Sequence, residues 1–115
     1  MSQKVQEFND YRAKMNSKIL ASDNKTIKRI FNLDTNTFKE GHLPSKTKEL
    51  LGLVASAVLR CDDCIAYHLE AAHKNGVTRD EMMETMSIAT LVGGTILIPH
   101  LRRAVEFWDA IEEDN

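Results

Sequence analysis

This 115-residue chain contains two cysteines, three residues apart in Cys61-Asp-Asp-Cys64, and a histidine follows four residues later at His68. Each residue of an α-helix advances about 100° around the axis. A helical segment here therefore puts Cys61, Cys64 and His68 on one narrow stripe two turns long. Two thiols close enough to bridge, beside an imidazole able to take a proton from one of them, make a redox pair or part of a metal site. At a helix start, unpaired backbone N–H groups and the helix dipole favour a thiolate, lowering the thiol pKa from about 8.5. His68 lies one turn beyond Cys64, which points to Cys64 as the nucleophile and Cys61 as the thiol that closes the bridge. Asp62 and Asp63 act in the other direction, because carboxylates oppose a neighbouring thiolate. The sequence leaves that balance open.

The stripe needs a partner element, and the chain supplies one immediately upstream. Ser45 is expected to cap a helix over 46–59. Its interior from Leu50 to Leu59 is apolar on nearly every side, a pattern that predicts burial all round, at the centre of the fold or between the core and a subunit neighbour. A second helix over 61–74 is stopped by Asn75-Gly76, a favourable left-handed C-terminal cap. An antiparallel hairpin turning near Arg60 places Glu49 about 16 Å and His68 about 12 Å below the turn. Glu49 then reaches the imidazole more easily than either sulfur. The result is a carboxylate–imidazole–thiol relay in which Glu49 orients the ring of His68 and the ring moves the proton.

Outside the hairpin, Val5, Phe8, Tyr11 or Met15, and Ile19 form the buried stripe of an amphipathic helix over 2–21. Asp23 or Asn24 can cap a short helix carrying Ile27, Ile30 and Phe31. Residues 32–36 read as turn-rich, with one further helical turn over 37–40 and a break before Pro44. Thr78 and Glu81 form a capping box that starts a helix containing Met82, Met83 and Met86, spaced as core or interface filling. Gly93-Gly94 interrupts it, and 95–113 continues as helix with a kink or a fresh start at Pro99. Phe107 and Trp108 are expected to anchor that last helix. No alternating strand pattern is present. These readings predict an all-α fold of about six helices around a central antiparallel hairpin, in one domain over 1–115.

Bulk properties narrow the functional classes. Net charge is −2 and aromatic residues make up 6% of the chain, so neither a basic surface nor a base-stacking platform for nucleic acid is expected. An anionic membrane surface is disfavoured on the same ground. The first ten residues are polar, which predicts no signal peptide, and no run approaches the roughly 20 apolar residues that span a bilayer. The expected location is cytoplasmic, where a close cysteine pair serves catalysis or metal binding more often than structure.

Glu49, the Cys61-x-x-Cys64 pair and His68, followed by Ala71, Ala72 and Gly76, resemble the signature of the alkyl hydroperoxidase D-like branch of the carboxymuconolactone decarboxylase superfamily. The likeness covers about residues 42–94. It implies an all-helical fold that assembles into homotrimers or homohexamers, and a thiol peroxidase or disulfide reductase activity. By that likeness Cys64 would be the peroxidatic thiol, Cys61 the resolving thiol, and Glu49 with His68 the proton relay. No cofactor beyond the Cys61–Cys64 disulfide is expected, with a small peroxide or disulfide as substrate and an external dithiol or thioredoxin-like protein as reductant. Alkyl hydroperoxidase D itself is longer and has a histidine just before its second cysteine, where this chain has Asp63. Lactone decarboxylases of the superfamily generally lack the cysteine pair, so its presence argues against decarboxylation.

Other readings of the same residues remain in play at this level. Glu49 and His68 could serve a decarboxylase-type acid–base reaction with the thiols as bystanders. Cys61, Cys64 and His68 with a carboxylate could hold zinc in an oligomeric, non-catalytic module. Two buried thiols could also be mere packing. His42, His73 and His100 read as surface or structural residues, His100 with the option of facing a subunit partner.

Overall fold

In a computed structural model that describes residues 2–113, six α-helices are present: α1 Gln3–Ala21, α2 Lys25–Thr37, α3 Ser45–Val58, α4 Asp62–Lys74, α5 Arg79–Gly93 and α6 Ile98–Glu112. A 3-10 turn, Thr95–Leu97, links the last two, and the described residues contain no strand. The α3–α4 hairpin is the centre of the architecture. α5 packs on α3, α6 packs on α4, and α1 lies against α6. Leu53 and Leu69 from the hairpin, Met82 and Met86 from α5 and Trp108 from α6 are fully enclosed. They give the hairpin a rigid backing that its chemistry-bearing face requires. Val5 and Phe8 seat α1, with the Phe8 and Phe107 rings edge-on at 5.5 Å.

Local signals explain most of the boundaries. Thr78 and Glu81 form the expected capping box, each side chain accepting the other residue's backbone N–H. Asn24 caps α2 through its side-chain oxygen. Gly76, at φ 85°, closes α4, with the Val77 N–H donating to Ala72. Pro99 sits in the first turn of α6, where its missing N–H costs nothing.

Two expectations are corrected, and two that left alternatives open are narrowed. α3 begins at Ser45 with Pro44 in the cap position, and no side chain makes a cap hydrogen bond there. Residues 32–36 are helical, part of α2. Thr35 and Thr37 donate their hydroxyls to the carbonyls of Phe31 and Leu33, and Asn36 donates to Asn32, so polar side chains that favour turns are satisfied within the helix. The last α2 carbonyls are not orphaned either, because the Lys48 ammonium binds Thr37 and Lys39 oxygens at 2.9 and 2.7 Å. Tyr11 is exposed, because α1 buries its N-terminal half while Arg12 turns to the hairpin. Finally, α3 is not enclosed all round: Leu51 is 55% and Leu59 77% exposed. On α5, which packs against α3, Ile88, Leu91 and Val92 are exposed as well.

The turn between α3 and α4 fixes the register of the site. Arg60 adopts φ 59°, Cys61 N–H donates to Ser56 at 3.0 Å and Arg60 N–H to Ala57 at 2.9 Å. This double bond pattern is the Schellman closure, which ordinarily places glycine where Arg60 stands. A side-chain-bearing residue in the left-handed region costs about 1 kcal/mol. Arg60→Gly is therefore expected to raise stability by roughly 0.5 kcal/mol after the added flexibility of the unfolded chain. A thermal melt should show a small upward shift; a lower midpoint would mean the arginine side chain contributes something its contacts do not show.

Candidate active site

The backbone that leaves the Arg60 turn presents Cys61 as the N-cap of α4, in extended conformation. Its sulfur accepts the backbone N–H of Cys64 at 3.3 Å, a role usually filled by a serine or aspartate oxygen. Cys61 and Cys64 are joined in a disulfide with Cα atoms 5.3 Å apart. Only Cys64 and His68 lie on the helix proper, so the expected three-residue stripe is a two-residue stripe with Cys61 folded back onto its end. Cys64 is exposed and Cys61 half-buried, so the sulfur in the first helical turn is the accessible one.

His68 lies one turn further along α4, and its Nδ1 is 2.8 Å from Glu49 Oε1 on α3. Both side chains are largely enclosed, at 14% and 9% exposure. A buried carboxylate with one partner requires a proton on that partner, so Nδ1–H donates to Glu49 and Nε2 is left to face a reacting group. The helical register expected from the hairpin thus brings the carboxylate and imidazole together.

Why the ring fits there is set by Gly52, three residues after Glu49 and on the same face of α3. A Cβ at Gly52 would stand 2.6 Å from His68 Cε1 and 2.9 Å from both ring nitrogens. The imidazole lies against bare backbone. Phe38, just past α2, covers the ring from another side at 5.0 Å between centroids, and Tyr67 stacks on it at 5.2 Å and 3°. The Arg12 guanidinium in turn lies 4.4 Å from the Tyr67 ring centre, a cation–π contact.

These groups line a cavity of about 230 Å³ whose walls are Arg12, Asp34, Phe38, Asp63, Cys64, Tyr67 and His68. Its size suits a small molecule, and it is the place where sulfur and imidazole meet solvent. Burial, followed by the charges of Glu49 and Asp34, pushes the Tyr67 phenol above its usual pKa against the opposing charge of Arg12. Tyr67 therefore stays a hydrogen-bond donor throughout the neutral range.

On the opposite side of the α4 terminus, Asp62 is held by α6. His100 Nδ1 is 2.8 Å from Asp62 Oδ1 and Arg103 Nε donates to Oδ2 at 2.9 Å. Burial pushes the Asp62 carboxyl up, but the His100 hydrogen bond and the charges of Arg103 and His100 together hold it below its ordinary value. His73 packs edge-on against Trp108, and His42 is exposed in the loop before α3. Among the described residues, no group of three His, Cys, Asp or Glu side chains is placed to hold a metal ion.

Gly52, Phe38, Tyr67 and Arg12 have no part in the site as read from the sequence, and His100 reads there only as a surface or structural residue or one facing a subunit partner. A glycine inside an otherwise apolar helix costs about 1 kcal/mol relative to alanine, and that alone marks a close approach. Arg12, Phe38 and His100 carry no such mark, because only the tertiary fold brings them to α4.

Comparison with known proteins agrees with this architecture. A profile of the carboxymuconolactone decarboxylase family matches residues 25–107. A Thermotoga maritima protein of known crystal structure is 49% identical, with a TM-score of 0.92 over 94% of this chain and 95% of that one. A second crystal structure of that same Thermotoga maritima protein, described as a carboxymuconolactone decarboxylase family protein with a suggested part in antioxidative response, is 48% identical with a TM-score of 0.90, covering 93% of this chain and 91% of that one. A Legionella pneumophila protein of the same family is 28% identical with a TM-score of 0.80, over 97% of each chain. An uncharacterized Cupriavidus necator protein is 29% identical over 73 residues, 64% of this chain and 65% of its own length. The chain thus spans somewhat under two thirds of that relative. No helix is long and apolar enough to cross a membrane among the described residues. With its all-α fold, hairpin and matched span, the chain belongs to the carboxymuconolactone decarboxylase family.

Proposed function

We propose that this protein is a thiol-dependent oxidoreductase that reduces small hydroperoxides or disulfides through Cys61 and Cys64. The observation that carries the reading is the accessible Cys64 sulfur, disulfide-linked to Cys61, sharing a cavity with His68, whose other nitrogen is fixed by Glu49. The suggested antioxidative role of a 48%-identical relative supports the same class.

In the reduced protein, His68 Nε2 takes the Cys64 proton and the thiolate attacks the outer oxygen of a hydroperoxide. The O–O bond breaks, the alcohol leaves with the proton returned by His68, and Cys64 becomes a sulfenic acid. The Cys61 thiol then displaces water to form the observed disulfide. An external dithiol restores both thiols by exchange and is itself oxidised. No metal or organic cofactor takes part. Tyr67 lines the same cavity as a phenol donor suited to the departing oxygen.

The direct test is thiol titration of the reduced protein before and after one equivalent of peroxide, with peptide mass spectrometry. Loss of two thiols and a Cys61–Cys64 linkage are expected; two unreacted thiols would end the peroxidase reading. Alkylating both cysteines should abolish activity, whereas an acid–base lactone decarboxylase would survive it.

Glu49→Gln keeps an oxygen to accept Nδ1–H but removes the charge that supports an imidazolium. Turnover is expected to fall about 10²-fold, within the usual range for general acid–base catalysis. Equilibrium disulfide formation with a small oxidant should persist. Full activity in this variant would make Glu49 a packing residue.

The exposed apolar side chains of Leu51 and Leu59 with Ile88, Leu91 and Val92 suit subunit assembly, and the proposal includes a homotrimer or homohexamer joined there. Sizing by light scattering would remove that part if it gave only a monomer.

A further inference from the structure

The two acidic residues between the cysteines ought to work against a thiolate, yet one of them is tied to a histidine and an arginine from a distant part of the chain. Asp62 is the first residue of α4, immediately after Cys61, and both of its oxygens are engaged by α6. His100 is the more enclosed partner at 17% side-chain exposure, and Arg103 is half-exposed. Arg103 Nη2 also approaches His100 Nδ1 at 3.2 Å. Since Nδ1 carries the hydrogen donated to Asp62, that approach joins two donors around one carboxylate rather than forming a third bond.

We propose that His100 and Arg103 are positioning residues of the redox centre, which clamp the Asp62 carboxylate and offset its charge so that it does not oppose the Cys64 thiolate. The inference rests on the reading of Cys61 and Cys64 as the redox pair. Reduction breaks the S–S bond with two electrons and two protons from an external dithiol, which becomes a disulfide. The neutral bridge gives way to a pair of thiols, one of which must ionise to react. Any net negative charge at the start of α4 therefore weighs on the reduced, ionised state and not on the disulfide.

Other charged groups surround this end of the helix, among them the exposed Arg60 of the turn just before Cys61. Asp63 is exposed beside Cys64, with Asp34 and Arg12 on the walls of the same cavity. Lys4 of α1 is bound to Glu106 of α6 at 3.0 Å, and Glu49 of α3 to His68. Lys4, Asp62, Asp63, Arg103 and Glu106 share the walls of a second cavity of about 220 Å³. Its two cations therefore stand among three carboxylates, which makes each cation matter to the balance.

The test compares wild type, Asp62→Asn, Arg103→Gln and Arg103→Lys by following thiolate absorbance of the reduced protein against pH. Arg103→Gln should raise the Cys64 pKa and Asp62→Asn should lower it, each by about half a unit to one unit for a partly exposed charge nearby. In thiolate fraction that is roughly a three- to tenfold change. Arg103→Lys keeps the charge and should titrate like wild type. Loss of the fold would shift all variants the same way, as would a purely structural role. Opposite shifts from the two neutralising variants support the clamp; equal-direction shifts, or none in variants that melt like wild type, overturn it. Because thiol titration needs no peroxide turnover, a protein inactive toward peroxides would still decide the inference.

Discussion

Cys64→Ser is expected to bring peroxide consumption with dithiothreitol down to the buffer rate, a loss on the order of 10³-fold or more for removal of a nucleophile. A serine hydroxyl ionises far less readily than a thiol and is no substitute at an O–O bond. The fold should tolerate the change, since residue 64 is exposed and the Cys61 sulfur still accepts the backbone N–H that caps α4. Cys61→Ser should behave differently. It leaves Cys64 able to attack once, so the pre-reduced variant freed of dithiol consumes one equivalent of peroxide and stops at a sulfenic acid that a dimedone probe captures. The ordered pair of outcomes tests the assignment of roles. A reversed pattern, with turnover surviving Cys64→Ser, would transfer the nucleophile to Cys61. It would also mean that the imidazole one turn beyond Cys64 serves another purpose.

What the sequence made legible, and what it hid, follows from the range of the interactions involved. The α4 stripe and its stop at Gly76 are set by periodicity and by backbone conformations that few residues adopt. The Glu49–His68 pair was legible for a further reason: two helices joined by a tight turn leave little freedom in register, so counting residues from Arg60 places the carboxylate near the ring. The apolar run over 50–59 was legible only as a need for burial and not as what supplies it; Leu53 and Ala57 are buried in the core, whereas Leu51 and Leu59 face outward in the single chain. The 32–36 segment misled for the opposite reason. Its asparagines and Thr35 favour turns, but the Thr35 hydroxyl bond to Phe31 and the Asn36 bond to Asn32 accommodate them within α2. His100 was out of reach because nothing local links it to Asp62, which lies 38 positions earlier.

The largest effect from a single methyl group is expected at Gly52. Alanine at an exposed helical site ordinarily stabilises by up to about 1 kcal/mol relative to glycine. At this position the added Cβ would overlap the outer edge of the His68 ring, 2.6 Å from Cε1 and 2.9 Å from each ring nitrogen, so the whole ring has to move. The ring cannot yield toward Phe38 or Tyr67, because it is already in contact with both at 5.0 and 5.2 Å between ring centroids. It must instead swing about its own side-chain torsions, away from Glu49. Displacement of a catalytic group by about 1 Å costs on the order of 10²-fold in rate, and separation from Glu49 removes the partner that fixes the ring's proton. Gly52→Ala should therefore lose peroxide turnover about as severely as Glu49→Gln, although neither sulfur has been touched. The helix gain and the ring displacement oppose each other in stability, so the melting point should move little. The double variant Gly52→Ala with Glu49→Gln separates this account from general disruption. If the methyl group acts by parting ring from carboxylate, the second change adds little to the first; independent, multiplying losses would show that Gly52 serves the site by another route.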